Sequence, residues 1–207
     1  MQEEPQAEEI ADLKGSAAPA IGEKLRADMS ALSQAVTGCC ACPGGGGGIP
    51  GAGEVGADLF LLAGMPGPGA AAGDPWGSWR ELFLAKACGE WGWKLGATYF
   101  STALRCRLRK VTRREVRRCA AFLADEILTV GPRLAVVSGK VAAVALRAAL
   151  GGDIPENPRA GDTCSLYSTT FLFELDIARV DSEAEAARAF WHILRRAEGL
   201  VLAQPAT

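Results

Sequence analysis

Cysteines and arginines carry most of the chemistry this sequence offers. Cys39 and Cys42 stand with two residues between them, and Cys106 and Cys119 lie in the stretch 105–119, RCRLRKVTRREVRRC. That stretch holds eight basic residues and one acid, Glu115, in a chain whose formal net charge is −2. A thiolate beside a guanidinium is stabilised as an anion and becomes a good metal ligand. Four thiolates without histidine suit zinc or an iron–sulfur cluster, and side-chain chemistry alone does not separate the two. Cys40 could replace Cys39, but the two-residue spacer gives the commoner chelate. Cys88 and Cys164 read as core thiols, and the sole histidine, His192, as a packed or surface residue. The guanidinium groups offer a second chemistry, because they neutralise phosphates and fork onto their oxygens. Arg105, Arg107, Arg109, Lys110, Arg113, Arg114 and Arg117 are therefore candidate phosphate contacts. The plain alternative is a solvated helix face.

These residues need a scaffold, and the apolar patterning predicts one. Leu25, Met29, Leu32 and Val36 recur at helical spacing over 23–36, and Gly38 ends that helix just before Cys39. Five glycines at 44–48 then predict a flexible loop. LFLLAG (59–64) and RLAVVSG (133–139) are short continuous apolar runs closed by glycine, the pattern of strands buried on both faces. ATYFSTAL (97–104) reads as a further strand, and CSLYSTTFLFEL (164–175) as a last strand and its exit. Helices are predicted over 78–92, from a Thr112/Glu115 capping box to Val130, over 140–150, and from an Asp181 or Ser182 cap to about Arg195. Strands alternating with helices at this spacing predict a three-layer α/β/α sandwich with a mostly parallel central sheet. In such sheets ligands sit at the carboxyl ends of the strands, expected from Gly64, Thr102, Gly139 and Thr170 onward. The basic stretch follows one of those ends directly.

Composition narrows the function classes. A chain of 207 residues with 49% hydrophobic and 22% charged residues fits one domain with a sizeable core. Residues 1–20 are expected as a mobile acidic tail, 21–199 as the folded domain and 200–207 as a C-terminal tail. Near-balanced charge argues against a general polyanion binder and permits a local basic patch. No apolar run is long enough for a membrane span, and the acidic start does not resemble a secretory signal. A cytoplasmic location is expected, where thiols stay reduced and clustered cysteines serve as metal ligands.

The order of these features resembles the iron–sulfur branch (family 4) of the uracil-DNA glycosylase superfamily. The residues carrying the resemblance are Cys39 and Cys42, LFLLAGMPGPG, the segment Gly73-Asp74-Pro75-Trp76-Gly77, YFSTALRC, Glu115 to Cys119, and PRLAVVSGKVAAVAL (132–146). It spans roughly residues 23–198. The resemblance implies that Cys39, Cys42, Cys106 and Cys119 hold a [4Fe–4S] cluster, with zinc in an unrelated module as the alternative. It also implies a base pocket built from Gly64, Met65, Pro66, Gly67, Trp76, Thr102 and Phe171, and DNA, single-stranded or uracil-containing, as the partner. Gly64-Met65-Pro66-Gly67-Pro68 is similar as well to the Gly-Met-Asn-Pro-Gly-Pro loop of the single-strand-selective glycosylases, without its Asn.

The catalytic positions depart from that pattern. Met65 stands where the family carries a water-orienting acid, Thr102 where it carries a base-reading asparagine, and Phe171 where it carries a histidine. Met and Phe do no acid, base or oxyanion chemistry. Asp74 is the nearest carboxylate that could act instead, and Trp76 the aromatic that could stack on a flipped base. Two expectations follow. One is an enzyme that hydrolyses the N-glycosidic bond of uracil or another damaged base in base-excision repair. The other is a catalytically inert relative that binds nucleic acid or a protein partner through its basic, cluster-bearing surface.

Overall fold

The computed structural model describes residues 7–42, 46–90, 98–180 and 182–202, with the side chains of residues 7–20, 88 and 196–202 outside that description. The chain runs α1 (Ala7–Thr37), β1 (Leu59–Ala63), α2 (Ser78–Leu84), β2 (Thr98–Thr102), α3 (Arg113–Val130), β3 (Leu134–Ser138) and α4 (Gly139–Leu150). It continues through β4 (Thr163–Leu166), β5 (Thr169–Glu174), α5 (Ile177–Val180) and α6 (Ala184–Leu202). The strands form one sheet in the order β2-β1-β3-β5-β4. Pairing is parallel except for β4 with β5.

Both faces of the sheet are covered, which explains the unbroken apolar runs of β1 and β3. On one face Phe60, Leu62, Tyr99, Ala135, Val137, Phe171 and Phe173 pack under Leu123 and Ile127 of α3 and Leu146 of α4. On the other, Leu61, Phe100, Val136 and Leu172 meet Trp79 and Phe83 of α2, Ile177 of α5, and Phe190 and Leu194 of α6. The expected three-layer α/β/α sandwich is the observed fold. The capping box is present as well: the Thr112 side chain accepts from Arg114 N–H at 3.2 Å, and Glu115 accepts from Thr112 N–H at 3.0 Å. Gly131, in the left-handed conformation, closes that helix.

Four local expectations are corrected. Residues 7–20, expected as part of a mobile tail, continue α1, in keeping with the high helix propensity of their Ala, Glu and Leu residues; residues 1–6 lie outside the description. The helix expected over 78–92 ends at Leu84 and passes into a π-type turn at Ala85–Glu90. The single strand expected at 164–175 is a hairpin that turns at Tyr167, whose φ is 54°. The last strand therefore ends at Glu174, four residues beyond the expected carboxyl end. The final helix starts at Ala184, and the cap candidate Asp181 lies outside the described residues. Among the described residues no helix is long and apolar enough to cross a membrane.

Candidate functional site

The cysteines come from three elements far apart in the chain. Cys39 and Cys42 follow the end of α1, Cys106 lies four residues beyond β2, and Cys119 sits in the second turn of α3. Backbone hydrogen bonds stitch these segments together. Gly48 N–H donates to the Val36 carbonyl at 3.0 Å, and Ile49 N–H to the Arg105 carbonyl at 2.7 Å. From α3, Arg118 donates to the Ala41 carbonyl between the first two cysteines. Cys42 and Cys119 are buried, while Cys39 and Cys106 are half-buried. Burial pushes the Cys106 thiol above its ordinary range, and the nearby Cys119, Cys42 and Cys39 push it further. Burial likewise raises Cys119, against the stabilising presence of Arg105. Cys106 thus lies near enough to Cys119, Cys42 and Cys39, and Cys119 near enough to Cys42 and Cys39, to feel their ionisation. Among the described residues no three His, Cys, Asp or Glu side chains close around a point that would hold a single metal ion. Cys40 is exposed and turned to the Gly38 carbonyl at 3.4 Å, outside the set.

Beneath the cysteines, Arg105 departs from its expected role. It is 1% exposed, and its guanidinium is spent on Glu126, with Nη2 to Oε2 at 2.7 Å and Nη1 to Oε1 at 3.2 Å. Ser101 accepts from Arg105 at 2.9 Å and donates to Glu126, and Tyr99 donates to Glu126 at 3.0 Å. Burial first, and the Glu126 charge second, drive the Tyr99 phenol well above its usual range. Arg105 is therefore a structural cation, buried away from any phosphate. The other basic candidates, Arg107, Arg109, Lys110, Arg113, Arg114 and Arg117, are exposed. Arg107 also donates to the Gly67 carbonyl, tying the segment after β2 to the loop after β1.

The expected base pocket is only partly assembled. Gly64, Pro66 and Gly67 are buried, and Met65 is half-buried at the end of β1. A Cβ on Gly67 would stand 2.0 Å from the Trp76 carbonyl oxygen, so only glycine lets these two loops meet. Trp76 is no open stacking platform. It is 1% exposed, lies edge-on to Phe83 and Phe100, and donates its indole N–H to the Ser101 carbonyl at 2.8 Å. Asp74 accepts from Gly77 N–H at 3.1 Å and so serves the turn that opens α2. Phe171 is corrected outright: it pairs with Ala135 in mid-strand, 1% exposed, and belongs to the core.

Thr102 is where the strand ends place it, fully buried, with an Oγ1 that finds no partner. Register puts it beside Ala63, while Ser138 lies beside Glu174. Leu62 and Val137 pair one residue earlier, so Thr102, Ala63, Ser138 and Glu174 form the last row across the sheet. All four point toward the α2 and α6 layer, being two or four residues on from Phe100, Leu61, Leu134 and Leu172.

Sequence reasoning missed Glu174 and Asp176. Glu174 is 6% exposed; its Oε2 accepts from Leu175 N–H at 3.2 Å, and its Oε1 has no partner. Burial pushes its carboxyl up to about 8, opposed only by that amide. Asp176 lies against Gly139, whose φ of 86° and lack of a Cβ admit the carboxylate; a Cβ there would stand 2.8 Å from its carboxyl carbon. These residues border a cleft of about 420 Å³ with Lys140, Asn157 and Arg179. The available signal was an acid closing the apolar run FLF, obscured once the strand was expected to end at Thr170.

The sequence model of the family described as the uracil DNA glycosylase superfamily matches residues 50–195, which takes in every strand and the helices from α2 to most of α6. No curated protein matches the chain significantly.

Proposed function

The chain belongs to the uracil DNA glycosylase superfamily, and from that premise we propose that it is a DNA-binding iron–sulfur protein that cleaves uracil or another damaged base from DNA. The observation that carries this reading is the convergence of Cys39, Cys42, Cys106 and Cys119 at the foot of an exposed arginine stripe. The donor set fits the group. Four cysteine thiols with no histidine suit a cube whose irons each take one thiolate, and their side-chain chemistry would also serve zinc. When bound, the cluster supplies a rigid cross-link between the exit of α1, the exit of β2 and α3. A reducing compartment such as the cytoplasm would keep these thiols available.

In this reading Arg109, Lys110, Arg113, Arg114 and Arg117 neutralise phosphates and set the register of the strand. Arg107 holds the segment after β2 against Gly67, at the mouth of the site. Thr102 Oγ1, buried and unpartnered at the end of β2, would reach a base edge only once the side chains above it move aside. Hydrolysis breaks the bond between the base nitrogen and C1′, leaves the electron pair on the base, puts the hydroxyl of water on C1′ and returns the water's other proton to the base.

A second reading, an inert relative that binds nucleic acid or a protein partner, draws on specific observations. Trp76 is locked in the core, Asp74 caps a turn, and Met65 offers no acid. One experiment separates them. Protein purified without oxygen is assayed for iron and visible absorbance, then incubated with uracil-containing single- and double-stranded DNA. Brown, iron-loaded protein that releases base supports the enzyme. Salt-dependent binding without release supports the inert relative, and colourless zinc-loaded protein removes the cluster.

A further inference from the structure

The outward face of α1 has the spacing of a helix seam. Ile21, Lys24, Asp28, Ala31 and Ala35 follow one another at steps of three, four, three and four, the pattern by which one helix packs along another. All five are exposed, Ile21 by 58%. α1 and α3 run antiparallel, since Arg118 reaches the Ala41 carbonyl just past the end of α1 while Phe122, Leu128 and Thr129 border one groove with Ala35, Ala31 and Asp28. The groove holds about 480 Å³, and Leu128 on its rim is 57% exposed. α3 stops at Val130, so Ile21 stands on a length of α1 that overruns it. Exposed apolar side chains lined up along a groove and rimmed by charge mark a surface that meets another protein.

We propose that this face receives α1 of a second copy of the chain, antiparallel to the first about a twofold axis level with Arg26. A twofold contact is self-complementary, each residue meeting in the partner the residue that meets it in return. With the axis there, Lys24 of each copy faces Asp28 of the other, and Ile21 of each faces Ala31 of the other. Among the described residues, neither Lys24 nor Asp28 is in an ion pair within its own copy. Alanine at 31 and 35 lets the two helix axes approach to about 8 Å, so that Ile21 of one copy enters the other's groove beside Phe122 and Leu128. Charge selects the register. Moving the axis to Lys24 or to Asp28 would set like charges against each other, which costs about as much as the matched pairs contribute. The same register carries positions 8, 9 and 12, all acids in the sequence, past the end of the other copy's α1. There the start of α3 exposes Arg113, Arg114 and Arg117, a second match of opposite charge.

Sedimentation velocity of the full chain, purified without oxygen and run at concentrations from about 1 to 200 µM, tests this. Wild type should show a reversible monomer–dimer equilibrium that weakens as salt rises. Lys24→Asp and Asp28→Lys each set two like-charge pairs beside the axis and should weaken dimerisation about tenfold or more. The double variant Lys24→Asp/Asp28→Lys restores both pairs in reverse and should recover the dimer. Ile21→Asp should leave a monomer throughout. These side chains are exposed, so each variant should keep the wild-type circular dichroism, and the recovery in the double variant separates a contact from a loss of folding. Wild type that stays monomeric at every concentration overturns the inference and leaves the groove to a different partner. A dimer that responds alike to the single and double charge variants overturns it too, because its interface then lies elsewhere.

Discussion

At the scale of single residues, two buried carboxylates with opposite surroundings define the chemistry of the molecule. Glu126 is 2% exposed and fully engaged by Arg105, Ser101 and Tyr99, whereas Glu174 is almost as deeply buried and has one oxygen unmatched. Burying a matched ion pair gives little net stability, but removing one partner strands a charge in a low dielectric. Glu126→Gln or Arg105→Met should therefore cost about 3–5 kcal/mol in urea unfolding, while the double variant Arg105→Met/Glu126→Leu should recover most of that loss. Glu174 behaves differently because its proton is the stabiliser. In the folded chain it stays protonated to about pH 8, against an ordinary value of 4.5. The folded state thus binds the extra proton between those values, so stability is fully present below about pH 4.5 and is lost as pH rises through 8. Wild type should lose on the order of a few kcal/mol of unfolding free energy between pH 5 and pH 9 from this group, and Glu174→Gln should abolish that slope. A slope unchanged in the glutamine variant would show that Glu174 ionises normally.

At the scale of elements, α3 is the segment whose sequence and structure agree most closely. Thr112 and Glu115 announced its first residue and Gly131-Pro132 its last, because caps and breakers are local chemistry that tertiary packing has little reason to override. Thr112→Ala should accordingly cost about 1 kcal/mol in thermal or denaturant unfolding. The exposed face of the same helix carries Arg113 and Arg117. If it meets phosphates, Arg113→Ala/Arg117→Ala should reduce the slope of log affinity for DNA against log salt by about 2, and weaken all sequences alike. An unchanged slope would make these two arginines solvent-facing charges only. The last strand shows where local reading fails. Tyr167 takes a left-handed turn without glycine or asparagine to mark it, so one strand was expected in place of a hairpin. That error moved the carboxyl edge back by four residues and left Glu174 out, while Phe171 entered the expected site only as the counterpart of the histidine in the family the sequence resembles. Arg105 was misread for a related reason: a run of arginines looks uniform in sequence, and only the folded chain shows which guanidinium turns inward to meet Glu126.

At the scale of the whole molecule, the sheet and its two apolar layers were legible because continuous apolar runs alternate with helical periods. The cysteines were visible as a grouping but not as a geometry, since the end of α1 and the start of α3 come together only when these helices pack on each other. That packing is also where a cluster would act. α1 lies against α3, and the segment joining α1 to β1 includes the five glycines at 44–48, which supply no side chains for packing. A cross-link joining residues 39–42 to residues 106 and 119 would close loops of more than sixty residues, and closing long loops removes much of the unfolded chain's freedom. A group that binds the folded state alone adds its binding free energy to stability. Removal of iron by chelation under anaerobic conditions should therefore lower Tm, and a loss of about 3 kcal/mol would correspond to roughly 6–12 °C for a chain of this size. Cys119→Ser should reproduce that drop and become insensitive to the chelator. Cys40→Ser, altering an exposed thiol outside the set, should retain both the iron and the original Tm. Equal behaviour of the two serine variants would show that the four thiols do not act as one ligand set.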